Sequence, residues 1–157
     1  MKIRVALVIV VLVSVSIYIT TTWSPLPPAP EARVVIPVVD LPPDAAALSG
    51  TWEGFGPADL PVRLIVEEVR GHWATVRYTW GDQPTGTFQR GWVRARALVF
   101  PGGKLFWRHP GDFTFQLADD WTTLVGKREQ GGSVATSLMR RVPSDLAPTV
   151  LIADTRE

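Results

Sequence analysis

The sequence predicts an all-β fold. It reads as eight short antiparallel strands, joined in chain order and closing into an up-and-down barrel, with a β-sandwich as the alternative. All thirteen glycines fall between residues 50 and 132, and turn-forming residues recur through that stretch. Between these turns the apolar residues alternate with period 2, the pattern of strands buried on one face. No segment sustains a helical period, which argues against an α/β arrangement. A closed meander suits the short links and leaves no sheet edge exposed.

The elements before the barrel come from composition. Residues 1–23 open with the basic "MKIR", continue with the uncharged "VALVIVVLVSVSIYI" and end in "TTTW". An apolar run of about 19 residues can cross a hydrocarbon core about 30 Å thick as a helix. The bilayer forces backbone groups to bond internally, so even Val and Ile adopt helix there. Lys2 and Arg4 would hold the cytoplasmic end, and Tyr18 and Trp23 would sit at the outer interface. The segment is therefore read as a signal anchor. Secretion after signal cleavage is the alternative, disfavoured because "ITTTWSPLP" lacks an Ala-x-Ala-like site. Either way the remainder lies on the extracytoplasmic side, periplasmic or extracellular.

Residues 24–47 hold seven of the fourteen prolines and no glycine. That composition favours an extended, semi-rigid linker, although "RVVIPVVDL" within it is apolar enough to dock on a domain. The barrel domain is placed at 48–143 and a flexible C-terminal tail at 144–157.

The eight strands are expected at 49–55, 61–69, 72–80, 90–99, 103–108, 112–118, 121–128 and 133–142. Links such as "FPGG", "HPG" and "EQGG" suit hairpins. The phase expected to face inward includes Trp52, Val62, Leu64, Val66, Val76, Tyr78, Trp80, Leu105, Trp107, Phe113, Phe115, Leu117, Leu124 and Leu138. Eight-stranded barrels have interiors just wide enough for side chains, or for one small ligand. With this many large aromatics a filled interior is expected rather than a cavity.

The triplet Gly50-Thr51-Trp52 opens the first strand, and the pair Arg140-Arg141 lies in the last. A Gly-x-Trp triplet alone says little here, since Gly71-His72-Trp73 is a second one; its position is what counts. The arrangement resembles the lipocalins and the wider calycin group of β-barrels over residues 48–143. That resemblance implies that Trp52 plugs one end of the barrel and that a last-strand arginine packs across its ring. Arg140 shares the phase of Val134, Leu138 and Val142 and is the expected partner, with Arg141 as the alternative. A cation over an indole face contributes about 0.5–2 kcal/mol. The resemblance also implies a cup for a small hydrophobic ligand, whose walls would be Tyr78, Trp80 and Trp107.

A second candidate site lies outside. In "RGWVRARALV" the apolar phase leaves Arg90, Trp92, Arg94 and Arg96 on the opposite face, and the preceding strand adds Trp73 and Arg77. Arg and Trp together favour contact surfaces, so an anionic envelope component or an acidic protein could dock there.

Other classes find little support. Residues 48–143 carry twelve Lys/Arg against nine Asp/Glu, too slight an excess to imply nucleic acid. With no cysteine there is neither a disulfide framework nor a thiolate metal site. His72 and His109 lack partners at a telling spacing. Glu67-Glu68 reads as a bulge and Asp119-Asp120 as a turn. No catalysis, metal or cofactor is expected. The sequence therefore reads as a membrane-anchored, extracytoplasmic, non-catalytic binding or envelope-interaction module, with a lipocalin-like carrier of a small hydrophobic ligand as the alternative.

Overall fold

The structure is a computed structural model and describes residues 34–35, 41–83 and 89–143. The expected anchor over 1–23, most of the linker and the tail over 144–157 lie outside these residues. Among the described residues no helix is long and apolar enough to cross a membrane.

Eight antiparallel strands close into a barrel in chain order: β1 (Gly50–Phe55), β2 (Pro61–Arg70), β3 (Trp73–Trp80), β4 (Gly91–Phe100), β5 (Lys104–Arg108), β6 (Asp112–Leu117), β7 (Thr123–Gln130) and β8 (Ser133–Arg141). Each lies within two residues of its expected span. Closure is made by β1 against β8, in a register running from Trp52↔Arg141 to Phe55↔Leu138. Gly54 permits that approach: a Cβ there would stand 1.9 Å from the Leu138 carbonyl oxygen. A glycine in a strand commonly marks such a close passage of another backbone.

The two barrel ends differ in what covers them. One end carries the β2–β3, β4–β5 and β6–β7 turns together with α1, a single helical turn over Pro43–Ala46. Pro42 and Pro43 suit that turn because the first helical positions need no N–H donor. Ala45 and Leu48 are buried in the barrel core, and Leu41 and Ala47 pack against it. The Asp44 carboxylate accepts the Gly102 and Gly103 amides of the β4–β5 turn at 2.5 and 3.1 Å. Those amides, that of Gly102 first, hold its pKa below the usual carboxylate range. Residues 41–47, assigned by sequence to the linker, are thus part of the folded unit. Earlier in the linker, the Val35 amide donates to the Glu67 carbonyl at 2.7 Å, so at that point the segment docks on β2.

The inward phase matches expectation along β1 to β7, with Trp52, Leu64, Val66, Val76, Leu105, Phe115 and Leu124 all fully buried. Strand β8 is the exception. Ala135, Ser137, Met139 and Arg141 face the interior, and Leu138, expected inside, is 55% exposed between Phe55 and Val125 on the outer face. The reason is volume. Phe115 already occupies the interior beside β7 and β8, where a Cβ on Gly126 would stand 2.7 Å from its ring and 2.3 Å from the Ser137 hydroxyl. Only small side chains fit next to it, and the smaller of the two β8 phases turns inward.

Candidate functional site: one plugged end and one open cup

At the plugged end Trp52 is 0% exposed, and its indole N–H donates to the Leu48 carbonyl at 3.0 Å. The cation above it is Arg141, not Arg140: the Arg141 guanidinium carbon lies 4.3 Å from the ring centroid. Its Nη1 donates to the Ser49 carbonyl at 2.7 Å and its Nη2 to the Ala47 carbonyl. Arg140 belongs to the outward phase of β8 and is exposed. The inversion of β8 that exposes Leu138 also exchanges the two arginines. Arg141 thereby joins three structures at once, supporting the Trp52 face and binding the carbonyls that link α1 to β1. Burial lowers its pKa from the usual guanidinium value.

The opposite end carries the β1–β2, β3–β4, β5–β6 and β7–β8 connections, and there the interior is hollow. A cavity of about 290 Å³ opens between these loops, contrary to the expectation of a filled barrel. The core aromatics leave it because they pack toward one another. Trp107 lies nearly parallel to Phe113 and to Phe115, with centroids 4.9 and 5.0 Å away, and Tyr78 meets Phe113 edge-on at 5.5 Å. The cavity walls include Leu60, Val62, Tyr78, Trp80, Phe113 and Phe115. Tyr78 and Trp80 thus occupy the expected lumen positions. Trp107 does not: it is buried in the aromatic stack and lines none of the cavity. The Trp80 indole N–H donates to the Gln89 carbonyl at 2.9 Å, which orients the ring at the rim.

The cup has polar groups too. Burial pushes the Tyr78 phenol up to about 12, against an opposing pull from the Arg128 charge, so at neutral pH it is an un-ionised hydroxyl. Arg128 lies on the inward phase of β7, with its guanidinium 5.3 Å from the Phe113 ring centroid. Its Nη2 donates to the Pro110 carbonyl at 3.4 Å and to Gln130 Oε1, while its Nε is buried with no hydrogen-bond partner. Gln83 Oε1 is likewise buried and unpartnered. Among the described residues the lining includes no Asp or Glu. Sequence reasoning passed over Arg128, although counting by two from the inward Leu124 reaches it.

On the outer face, alternation brings Trp73, Arg77, Arg90, Trp92, Arg94 and Arg96 to neighbouring positions of β3 and β4 and the loop before β4. Most of their charge is met locally. The register shift at Glu67 in β2 is the expected bulge. It places the Glu67 carboxylate, in a residue 5% exposed, against Arg77 at 2.8 Å and Arg94 at 2.8 Å. The adjacent Glu68 pairs with Arg70 at 2.7 Å. Asp82 pairs with Arg90 at 3.3 Å. Arg77 also lies 5.5 Å from the Trp92 ring, and Arg96 lies 4.4 Å from the Trp73 ring. Trp92 stays 49% exposed.

The two histidines are kept apart, His72 in the turn between β2 and β3 at the plugged end and His109 at the cup rim. Among the described residues no group of three His, Cys, Asp or Glu side chains could hold a metal ion. Compared with protein-family models and with curated proteins, the sequence matches none. What the geometry establishes is an architecture: a closed eight-stranded antiparallel meander, consistent with a calycin-like topology, plugged at one end and hollow at the other.

Proposed function

We propose that the protein is a non-catalytic binding module that carries a small, largely apolar ligand in the cup. Of the two functions expected from sequence, the geometry favours the carrier. The observation that supports it most is the 290 Å³ cavity, whose walls include the aromatic side chains Tyr78, Trp80, Phe113 and Phe115. Ligand sites are typically such concavities, mostly apolar with a few polar groups to orient what enters. The lipocalin-like character of the barrel belongs to the same reading, supported by Trp52 under a last-strand arginine. So does the membrane tether through residues 1–23, which rests on the apolar run and its basic flank and places the barrel on the extracytoplasmic side.

The test is titration of the purified full-length protein with N-phenyl-1-naphthylamine, a neutral fluorophore that brightens in apolar sites. Saturable binding near one equivalent is expected, together with its loss in Ala135→Phe, which fills the cup from the β8 wall. Absence of saturable binding in the parent would sink the carrier reading.

The outer Arg–Trp face supports a second reading, docking of an anionic surface, because Trp92 is half exposed and the Arg94 side chain is 59% exposed despite its partner. Exposed charges are screened beyond about 8 Å at physiological salt. Binding to anionic liposomes should therefore weaken with salt and disappear when Arg90, Arg94 and Arg96 are all replaced by Glu. Equal binding by parent and variant would reject this docking site.

A further inference from the structure

Building on the carrier reading, we infer that the cup selects an aromatic monocarboxylate, with Arg128 as its counter-ion. The first observation is the unfinished bonding of Arg128. Its Nε–H is buried with no acceptor, and the two acceptors on its Nη2 are a neutral carbonyl and a neutral amide oxygen. Buried donors in native structures nearly always have partners. A carboxylate that takes the idle Nε–H and displaces one of the two neutral acceptors on Nη2 completes the side-on fork of two parallel hydrogen bonds. No carboxylate lines the cup to compete for it, and no ion pair engages Arg128 among the described residues. The other Lys or Arg lining the cup among the described residues, Lys127, belongs to the outward phase of β7 and already pairs with Glu129.

The second observation is the shape and chemistry of the walls. Tyr78, Trp80, Phe113 and Phe115 offer ring faces and edges, and aromatic pairs gain from offset or edge-on contact beyond simple burial. The guanidinium rests over the Phe113 face, so an acid head bound to Arg128 leads directly onto this surface. A cavity of about 150 Å³ holds one benzene ring. The 290 Å³ here therefore suits a body of two fused rings and excludes a two-chain lipid. The Gln83 amide, whose Oε1 lacks a partner, offers its NH₂ as a further donor when turned end for end.

The experiment is calorimetric titration of the full-length protein with 2-naphthoate and with 2-naphthamide, a neutral ligand of the same shape. A charge-assisted pair predicts that the acid binds at least about tenfold more tightly than the amide. In Arg128→Gln the two affinities should converge to within about twofold. Equal affinities in the parent, or a preference that survives in Arg128→Gln, would overturn the inference. Should that variant fail to fold, Arg128→Lys serves instead: it keeps the charge but loses the planar fork, so an undiminished preference would count against Arg128. The carrier reading fails separately. If the amide binds as well as the acid, only the anion selectivity falls; if neither ligand binds and the neutral fluorophore is also excluded, the cup itself is not a binding site.

Discussion

Trp52 and Trp80 are the same side chain placed at opposite ends of one barrel, and their surroundings differ in almost every respect. Trp52 has no exposed surface, donates its N–H to Leu48 and lies beneath the Arg141 guanidinium. Trp80 is half-buried, donates to Gln89 and turns a face toward empty volume. At the plugged end the cation finds backbone carbonyls and an indole, while at the open end Arg128 keeps an unused donor. An apolar interior gains stability wherever it is filled. The mouth forgoes that gain.

The comparison can be tested with one substitution made at both ends. Trp52→Ala should destabilise the protein by about 3–5 kcal/mol in urea denaturation, the range for deleting a buried Trp. Arg141→Ala should cost about 1–3 kcal/mol, because it leaves the Ser49 and Ala47 carbonyls without a charged donor. The double variant with Trp52→Ala should lose less than the sum, since the two side chains touch. Strict additivity would mean that the stacking contributes nothing. Trp80→Ala should cost only about 1–2 kcal/mol, less than full burial of a large side chain supplies. A loss equal to that of Trp52→Ala would show that the mouth is structural rather than vacant.

A smaller effect is expected at the plugged end in acid. The Asp120 carboxylate accepts the amides of Thr122 and Thr123 at 2.9 and 2.8 Å and the Thr123 hydroxyl at 2.6 Å. The Thr123 hydroxyl first, then these amides, hold its pKa at about 2, below the ordinary 3.8. A depressed carboxylate pKa stabilises the fold above the unfolded value, and that contribution is lost as the pH falls toward the folded one. Parent stability should therefore drop between about pH 4 and pH 2, and Asp120→Asn should show a shallower drop across the same window. Identical acid profiles would show that this turn does not couple to folding. The smallest effect is expected one residue from the plug: Arg140→Ala should stay within about 0.5 kcal/mol of the parent, as for other exposed positions.

How far these features could be read from the sequence follows from their range. Strand positions were legible because alternation and turn chemistry are local, and all eight strands lie where Gly, Pro and period 2 place them. The facing of β8 was not. Its two phases, Val134 with Leu138 and Ala135 with Met139, are both compatible with a strand, and the choice depends on Phe115 and Trp52, which are far away in sequence. The choice between Arg140, the expected partner of Trp52, and Arg141, the alternative that the structure places there, depends on the same distant packing. Likewise, the burial of Glu67 depends on a bulge and on two arginines from different strands. The cup was the least legible feature, because its volume is a small difference between the barrel interior and the side chains that almost fill it.

One consequence concerns how the cup is mounted. The polypeptide enters the barrel through α1 and leaves it at the end of β8, both at the plugged end, and the Val35 bond to β2 lies beside the bulge on the same side. A force applied where the chain enters α1 or leaves β8 therefore acts on the base of the vessel. Such a force reaches the Arg141 clamp and the α1 cap first. The cup lies at the end of the barrel opposite both the start of β1 and the end of β8.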